Sequence, residues 1–99
     1  MKLSIIIPHH NGEELLYNCL QSLFNHISIQ DFEIIVVDNG STDNSVVKAK
    51  EKFPSINLLT SKTNLGYSGG CNFGAKNAKG EYIIFLNNDT EILTFSPDS

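Results

Sequence analysis

Two runs near the start of the chain, Leu3-Ser4-Ile5-Ile6-Ile7 and Glu33-Ile34-Ile35-Val36-Val37, are apolar and β-branched with almost no polar alternation. A strand with one solvated face alternates apolar and polar side chains, so runs like these belong to strands covered on both faces. Strands of that kind, separated by helical stretches, are those of a parallel sheet in an α/β fold. Two further runs, Ile56-Asn57-Leu58-Leu59-Thr60 and Glu81 to Leu86, complete the set, and the last also reads as a buried strand.

The intervening segments read as helices and loops. Pro8, which cannot donate to a sheet ladder, ends the first strand. Asn11 with Glu14 fits a capping-box-like helix start. Leu15, Leu16, Cys19, Leu20, Leu23, Phe24 and Ile27 then form one apolar stripe at helical spacing. Asp38 to Asp43 is a turn. Ser41 is expected to cap a short helix from about Thr42 to Lys52, with Val46, Val47 and Phe53 turned inward, and Pro54 stops it. A polar, glycine-rich loop from Ser61 to Gly70 leads to a helix through about Ala78, with Gly80 at its C-terminal stop. The order is β-α-β-α-β-α-β, which predicts a three-layer α/β/α domain with a mostly parallel sheet. His26 reads as a helix-end residue.

The 99 residues suffice for one small domain, and a hydrophobic content of 40% suffices for its core. Seven basic against eleven acidic residues give a net charge of −4 without a basic cluster, which argues against nucleic acid as a partner. Cys19 and Cys71 lack metal-ligand spacing and read as small buried hydrophobes. No run approaches the length of a membrane span. The short apolar stretch after Met1-Lys2 does not suit a signal-peptide core, so the expected location is the cytoplasm, including the inner face of the membrane.

Ligands of open α/β sheets bind outside the carboxyl ends of the strands. The unusual polar residues all fall at such ends: Pro8 to Asn11, Asp38 to Asp43, Ser61 to Gly70, and Asn87-Asn88-Asp89. The last group is either a turn or a set of oxygen ligands suited to Mg²⁺ or Mn²⁺. Asp38 either accepts the N–H of a pyrimidine base or bonds its own turn. Asp43 belongs to a helix start, where its charge favours the dipole. The glycines from Gly66 to Gly70 are either a flexible loop or the approach to an anion at a helix N-terminus. Lys76 and Lys79 read as solvated surface charges. No Gly-x-Gly-x-x-Gly, phosphate-binding Gly-Lys-Ser/Thr or Gly-x-Ser-x-Gly is present, and Pro8-His9-His10-Asn11 is not the basic glycine loop of a sugar-nucleotide pyrophosphorylase.

Four segments in order carry a family resemblance: Ser4 to Gly12, Glu33 to Asp43, Asn64 to Gly74, and Phe85 to Asp89. Together they resemble the amino-terminal part of family-two glycosyltransferases, which act on nucleotide sugars through a Rossmann-like GT-A fold. The third segment is similar to the pattern of a rhamnosyltransferase-like branch. The resemblance implies a nucleotide-sugar-binding half-domain over residues 1–93, with a polar tail at 94–99. It implies that Pro8, His9 and Asn11 lie beside the base and ribose, and that Asp38 binds uracil or thymine. Asn64, Gly66, Gly69, Asn72 and Asn88 would line the sugar-diphosphate cleft. Asp89, assisted by Asn87, would hold Mg²⁺ or Mn²⁺ in place of the family's Asp-x-Asp motif. The implied reaction is inverting transfer from a UDP- or dTDP-sugar to a hydroxyl of a saccharide or lipid-linked saccharide, in polysaccharide assembly. The catalytic base is expected downstream of the metal motif, so this chain reads as a donor-binding part with little activity alone. The alternative is a noncatalytic α/β module that binds nucleotide or self-associates through a bare sheet edge.

Overall fold

The computed structural model describes residues 3–27 and 31–88. Strand β1 (Leu3–His9) is followed by helix α1 (Glu13–His26), β2 (Phe32–Asn39), α2 (Ser45–Lys52), β3 (Asn57–Ser61), α3 (Gly66–Asn77) and β4 (Tyr82–Phe85). The four strands form one sheet in the order β3-β2-β1-β4, and every pairing is parallel. This is the expected α/β architecture.

The order explains the layers. The chain moves outward from β1 through β2 to β3, then reverses across β1 to reach β4. Right-handed crossovers that travel in opposite directions place their helices on opposite faces. Alternation along the buried strands divides the core accordingly. Ile5, Ile7, Ile34 and Val36 pack with Leu16, Leu20 and Leu23 of α1 and Ala49 of α2. Ile6, Ile35 and Val37 face the other way, toward Phe73, Ala75 and Ala78. Each fully buried Ile or Leu contributes about 1.5–3 kcal/mol relative to exposure, so these two clusters supply the driving force for the fold.

Several local features differ from the sequence reading. β1 continues through Pro8 to His9. Ile6 accepts from Leu86 N–H on the β4 side. Successive strand residues address alternate neighbours, so the missing N–H of Pro8 also falls on that side, beyond the last β1–β4 pair, Ile6 with Phe85. Helix α1 is capped by Gly12 in a left-handed conformation and has no side-chain cap, because the Asn11 side chain is engaged elsewhere. Leu15 is exposed. Helix α2 starts at Ser45 rather than Thr42, and Val47 points to solvent while Ser45 and Ala49 are buried. Helix α3 begins at Gly66, so most of the glycine-rich stretch is helical rather than loop.

Gly80 is not a left-handed helix stop. It is a point of close approach: a Cβ there would stand 2.6 Å from the Ser4 backbone nitrogen. β4 is an edge strand with Tyr82, Ile83 and Phe85 exposed, not a buried strand. Cys19 and Cys71 are buried, as expected. Among the described residues, no helix is long and apolar enough to cross a membrane.

Candidate functional site at the carboxyl ends of the strands

The strand order reverses at β1, and the chain leaves the carboxyl ends of β1 and β3 toward opposite faces, into α1 and α3. A cleft of about 280 Å³ opens at that end, lined by Pro8, His9, His10, Asn39, Asn64, Gly66, Tyr67 and Asn88. Five residues singled out in the sequence therefore meet there: Pro8, His9, Asn64, Gly66 and Asn88.

The loops around the cleft are stapled to each other. Asn11 has φ +56, a left-handed conformation that Asn tolerates better than most residues. Its Oδ1 accepts from the N–H groups of Thr42 at 2.8 Å and Asp43 at 3.3 Å, and its own N–H donates to Ser41 Oγ at 3.0 Å. Gly12 N–H donates to Asp43 Oδ2 at 2.8 Å. Ser41 thus serves the neighbouring loop rather than capping α2. Asp43 stands at the start of α2, accepting from Ser45 N–H at 3.1 Å and from the Ser45 hydroxyl. The Ser45 hydroxyl, followed by Gly12 N–H, draws the Asp43 pKa down to about 2.

Asp38 is buried at the end of β2, and its Oδ1 accepts Ser41 N–H at 2.9 Å. That is the local bond of the turn reading. Asn39, next to it, was not singled out in the sequence, yet it joins two walls of the cleft. Its Nδ2 donates to Gly66 O at 3.3 Å, its Oδ1 accepts from Leu65 N–H at 3.4 Å, and its carbonyl accepts from His10 Nδ1 at 2.8 Å. Asn64 Oδ1 accepts Gly66 N–H at 2.8 Å and holds the start of α3.

His9 is the most enclosed polar group of the site, at 2% exposure. Its Nε2 lies 2.7 Å from Ser45 Oγ, and its Nδ1 lies 2.9 Å from Asn88 Nδ2. Burial lowers the His9 pKa, against the pull of Asp43 and Asp38 and with a small push from His10, so the ring is neutral at neutral pH. Ser45 is the second participant missed in the sequence, because it sits on a helix start with no motif around it.

Gly69 and Asn72 lie on α3 outside the cleft lining, Gly69 against Leu65 and Asn72 exposed. Asn87 is exposed, and its carbonyl lies 3.9 Å from Cys19 Sγ. Asp89, the expected metal carboxylate, lies outside the described residues, as do residues 94–99. Among the described residues, no cluster of three His, Cys, Asp or Glu side chains could hold a metal. What they do offer at this end is the amide groups of Asn87 and Asn88, whose oxygens suit a hard cation.

Residues 4–94 match the family model described as Glycosyl transferase family 2. The poly(ribitol-phosphate) beta-glucosyltransferase of Bacillus spizizenii is 41% identical over 97 residues, which cover 93% of this chain and 15% of that protein. The crystal structure of S. aureus TarS superposes with a TM-score of 0.80 at 31% identity, over 90% of this chain and 17% of that one. TarS 1-349 in complex with UDP-GlcNAc gives 0.79 at 33% identity, over 90% and 27%. The chain spans 15%, 23% and 27% of the lengths of three curated relatives that it matches.

Proposed function

The chain belongs to glycosyl transferase family 2 and has the α/β fold of GT-A glycosyltransferase structures, and from that premise we propose that it is the donor-binding part of an enzyme transferring a sugar from a UDP- or dTDP-sugar to a hydroxyl acceptor. The observation that carries this reading is the cleft at the strand-order reversal, where Pro8, His9, Asn64, Gly66 and Asn88 converge from three separate segments. The similarity to TarS solved with UDP-GlcNAc supports a uridine nucleotide sugar.

In this reading Pro8 and the loop to Asn11 flank the base and ribose, and Asp38 receives the N–H of the base. Asn64, Gly66, Gly69 and Asn72 lie along the sugar-diphosphate path, and Asn88 reaches the bound donor. Asp89, with Asn87, holds a divalent cation, whose chemistry when bound is Lewis-acid stabilisation of the departing nucleoside diphosphate. Transfer inverts the anomeric centre, with a carboxylate base deprotonating the acceptor. The acceptor is a saccharide or lipid-linked saccharide hydroxyl, and the name of the Bacillus spizizenii relative supports a poly(ribitol-phosphate) chain. A place in the cytoplasm, including the inner face of the membrane, belongs to the same proposal. The narrower rhamnosyltransferase-like branch is supported by the Asn64 to Gly74 pattern alone.

Calorimetric titration of UDP, with GDP as control and with Mn²⁺ present or absent, tests the reading. UDP binding that is strengthened by Mn²⁺ and lost in Asp38→Ala and Asp89→Ala is expected. A folded chain that binds neither nucleotide would sink it. The exposed Tyr82, Ile83 and Phe85 on the β4 edge favour one second reading, a self-associating module. Light scattering decides it, since a strict monomer at high concentration argues against pairing through β4.

A further inference from the structure

The hydrogen-bond chain from Asp43 to Asn88 has its direction set by the groups at its two ends. The Asp43 carboxylate only accepts, and the Asn88 Nδ2 only donates. Ser45 gives its hydroxyl proton to Asp43 Oδ1, so Ser45 Oγ receives the proton of His9 Nε2 at 2.7 Å. His9 is then the Nε2–H tautomer, and its bare Nδ1 is the acceptor for Asn88 at 2.9 Å. His9 is 2% exposed and both ring nitrogens are engaged, so it cannot itself present a nitrogen to a ligand. Asn88 lines the cleft beside it.

We infer that His9 is a positioning residue, which turns the Asn88 amide nitrogen into the protein and leaves Asn88 Oδ1 to accept a hydroxyl of the bound sugar nucleotide. The inference rests on the donor reading above and deepens it. An amide oxygen repels phosphate and attracts a hydroxyl proton, so Asn88 reads the ribose or the sugar and not the diphosphate. Both partners set the ring orientation: a 180° flip would turn Cε1 toward Ser45 Oγ and Cδ2 toward Asn88 Nδ2 and lose both hydrogen bonds. The same relay ties the site to the start of α2, which no sequence motif announces.

The test uses the whole chain and two histidine variants that mimic opposite edges of the imidazole. His9→Asn places an amide oxygen near Nδ1 and keeps the acceptor for Asn88. His9→Gln reaches toward Ser45 and abandons Asn88. Affinities for UDP and UDP-GlcNAc are measured for both, for Asn88→Ala and for His9→Gln/Asn88→Ala, each first shown to unfold cooperatively. His9→Gln and Asn88→Ala are expected to lose about 3- to 10-fold in affinity, the range for one net hydrogen bond. The double variant should lose no more, and His9→Asn should recover most of the loss.

Equal losses with UDP and UDP-GlcNAc assign a ribose hydroxyl, and a loss confined to UDP-GlcNAc assigns a sugar hydroxyl. Imidazole nitrogen shifts of the labelled protein should show a protonated Nε2 and a bare Nδ1. A protonated Nδ1, or equal losses in the two histidine variants, would overturn the positioning role. A loss seen only with Mn²⁺ present would overturn the hydroxyl in favour of a cation. If no protein binds either nucleotide, the donor reading and the hydroxyl both fall, and the ring shifts still decide whether His9 holds Asn88.

Discussion

Gly70 lies directly against the side-chain amide of Asn39: a Cβ at Gly70 would stand 2.8 Å from Asn39 Nδ2 and 3.1 Å from Pro8 Cβ. That amide ties the end of β2 to the start of α3 through Gly66 and Leu65. The walls of the cleft are therefore set by a glycine that does not line it. Gly70→Ala should displace Asn39, costing about 1–3 kcal/mol of stability as overpacking does, and should weaken UDP binding as well. Gly74→Ala meets Ile6 Cγ2 at 2.5 Å, deep in the core, and should cost a similar stability without changing UDP affinity of the folded protein. Urea unfolding and calorimetry on both variants separate the two effects.

Asn11 combines a left-handed backbone with two accepted hydrogen bonds from Thr42 and Asp43. Asn11→Gly keeps the backbone and loses the bonds, for about 1 kcal/mol. Asn11→Ala loses both, and the left-handed conformation adds about 1–2 kcal/mol. Denaturant midpoints should therefore fall in the order wild type, Gly, Ala. A glycine variant as stable as wild type would mean that the side-chain bonds carry nothing, and an alanine variant no less stable than glycine would mean that the left-handed backbone costs nothing.

At the opposite end of the sheet, buried Glu33 accepts from Ser4 Oγ at 2.6 Å, Lys79 N–H at 2.7 Å and Asn57 Nδ2 at 3.0 Å. Ser4 Oγ in turn accepts Gly80 N–H at 2.8 Å, which closes the link from α3 to β4. Among the described residues, no buried side-chain nitrogen or oxygen lacks a partner. Glu33→Ala strands several donors at once and should cost about 3 kcal/mol, while UDP affinity of the folded fraction stays unchanged. Thermal unfolding with and without UDP checks both parts.

His9 makes stability depend on pH. Its folded pKa is lowered from 6.5 chiefly by burial, against Asp43 and Asp38, with His10 adding to the lowering. The unfolded chain then binds more protons just below that value, so this contribution is full above about 6.5 and declines as pH falls through the interval beneath it. Asp43 behaves separately: its contribution is present above 3.8 and is lost as pH falls toward its folded value of about 2. Urea midpoints measured against pH should show an early decline that disappears in His9→Asn and a later acid decline that does not.

Much of this protein was legible in the chain. Continuous apolar runs at Leu3–Ile7 and Glu33–Val37 announced central strands, because only a strand covered on both faces tolerates them. Polar residues at the strand ends pointed to the cleft that Pro8, His9, Asn64, Gly66 and Asn88 line, because parallel strands deliver their carboxyl ends to one edge. Asn39 and Ser45 were not legible, since a polar residue beside Asp38 and a serine before a helix look like ordinary turn chemistry. Their roles come from partners 26 to 36 positions away, Leu65, Gly66 and His9.

Local composition by itself determined the element types, their order and the parallel sheet, because each depends on the period of apolar side chains along a single segment. Tertiary structure alone decided which strand lay at the edge and which polar groups found each other. The apolar run at β4 reads as buried, yet Tyr82, Ile83 and Phe85 are exposed, because strand order and not strand composition sets who has a neighbour. Likewise, nothing in Pro8-His9-His10 says that one histidine is sealed between Ser45 and Asn88 while the next is exposed. That outcome follows from the side-chain alternation of a strand meeting a helix start and a second strand end, three segments that the fold alone brings within hydrogen-bond distance.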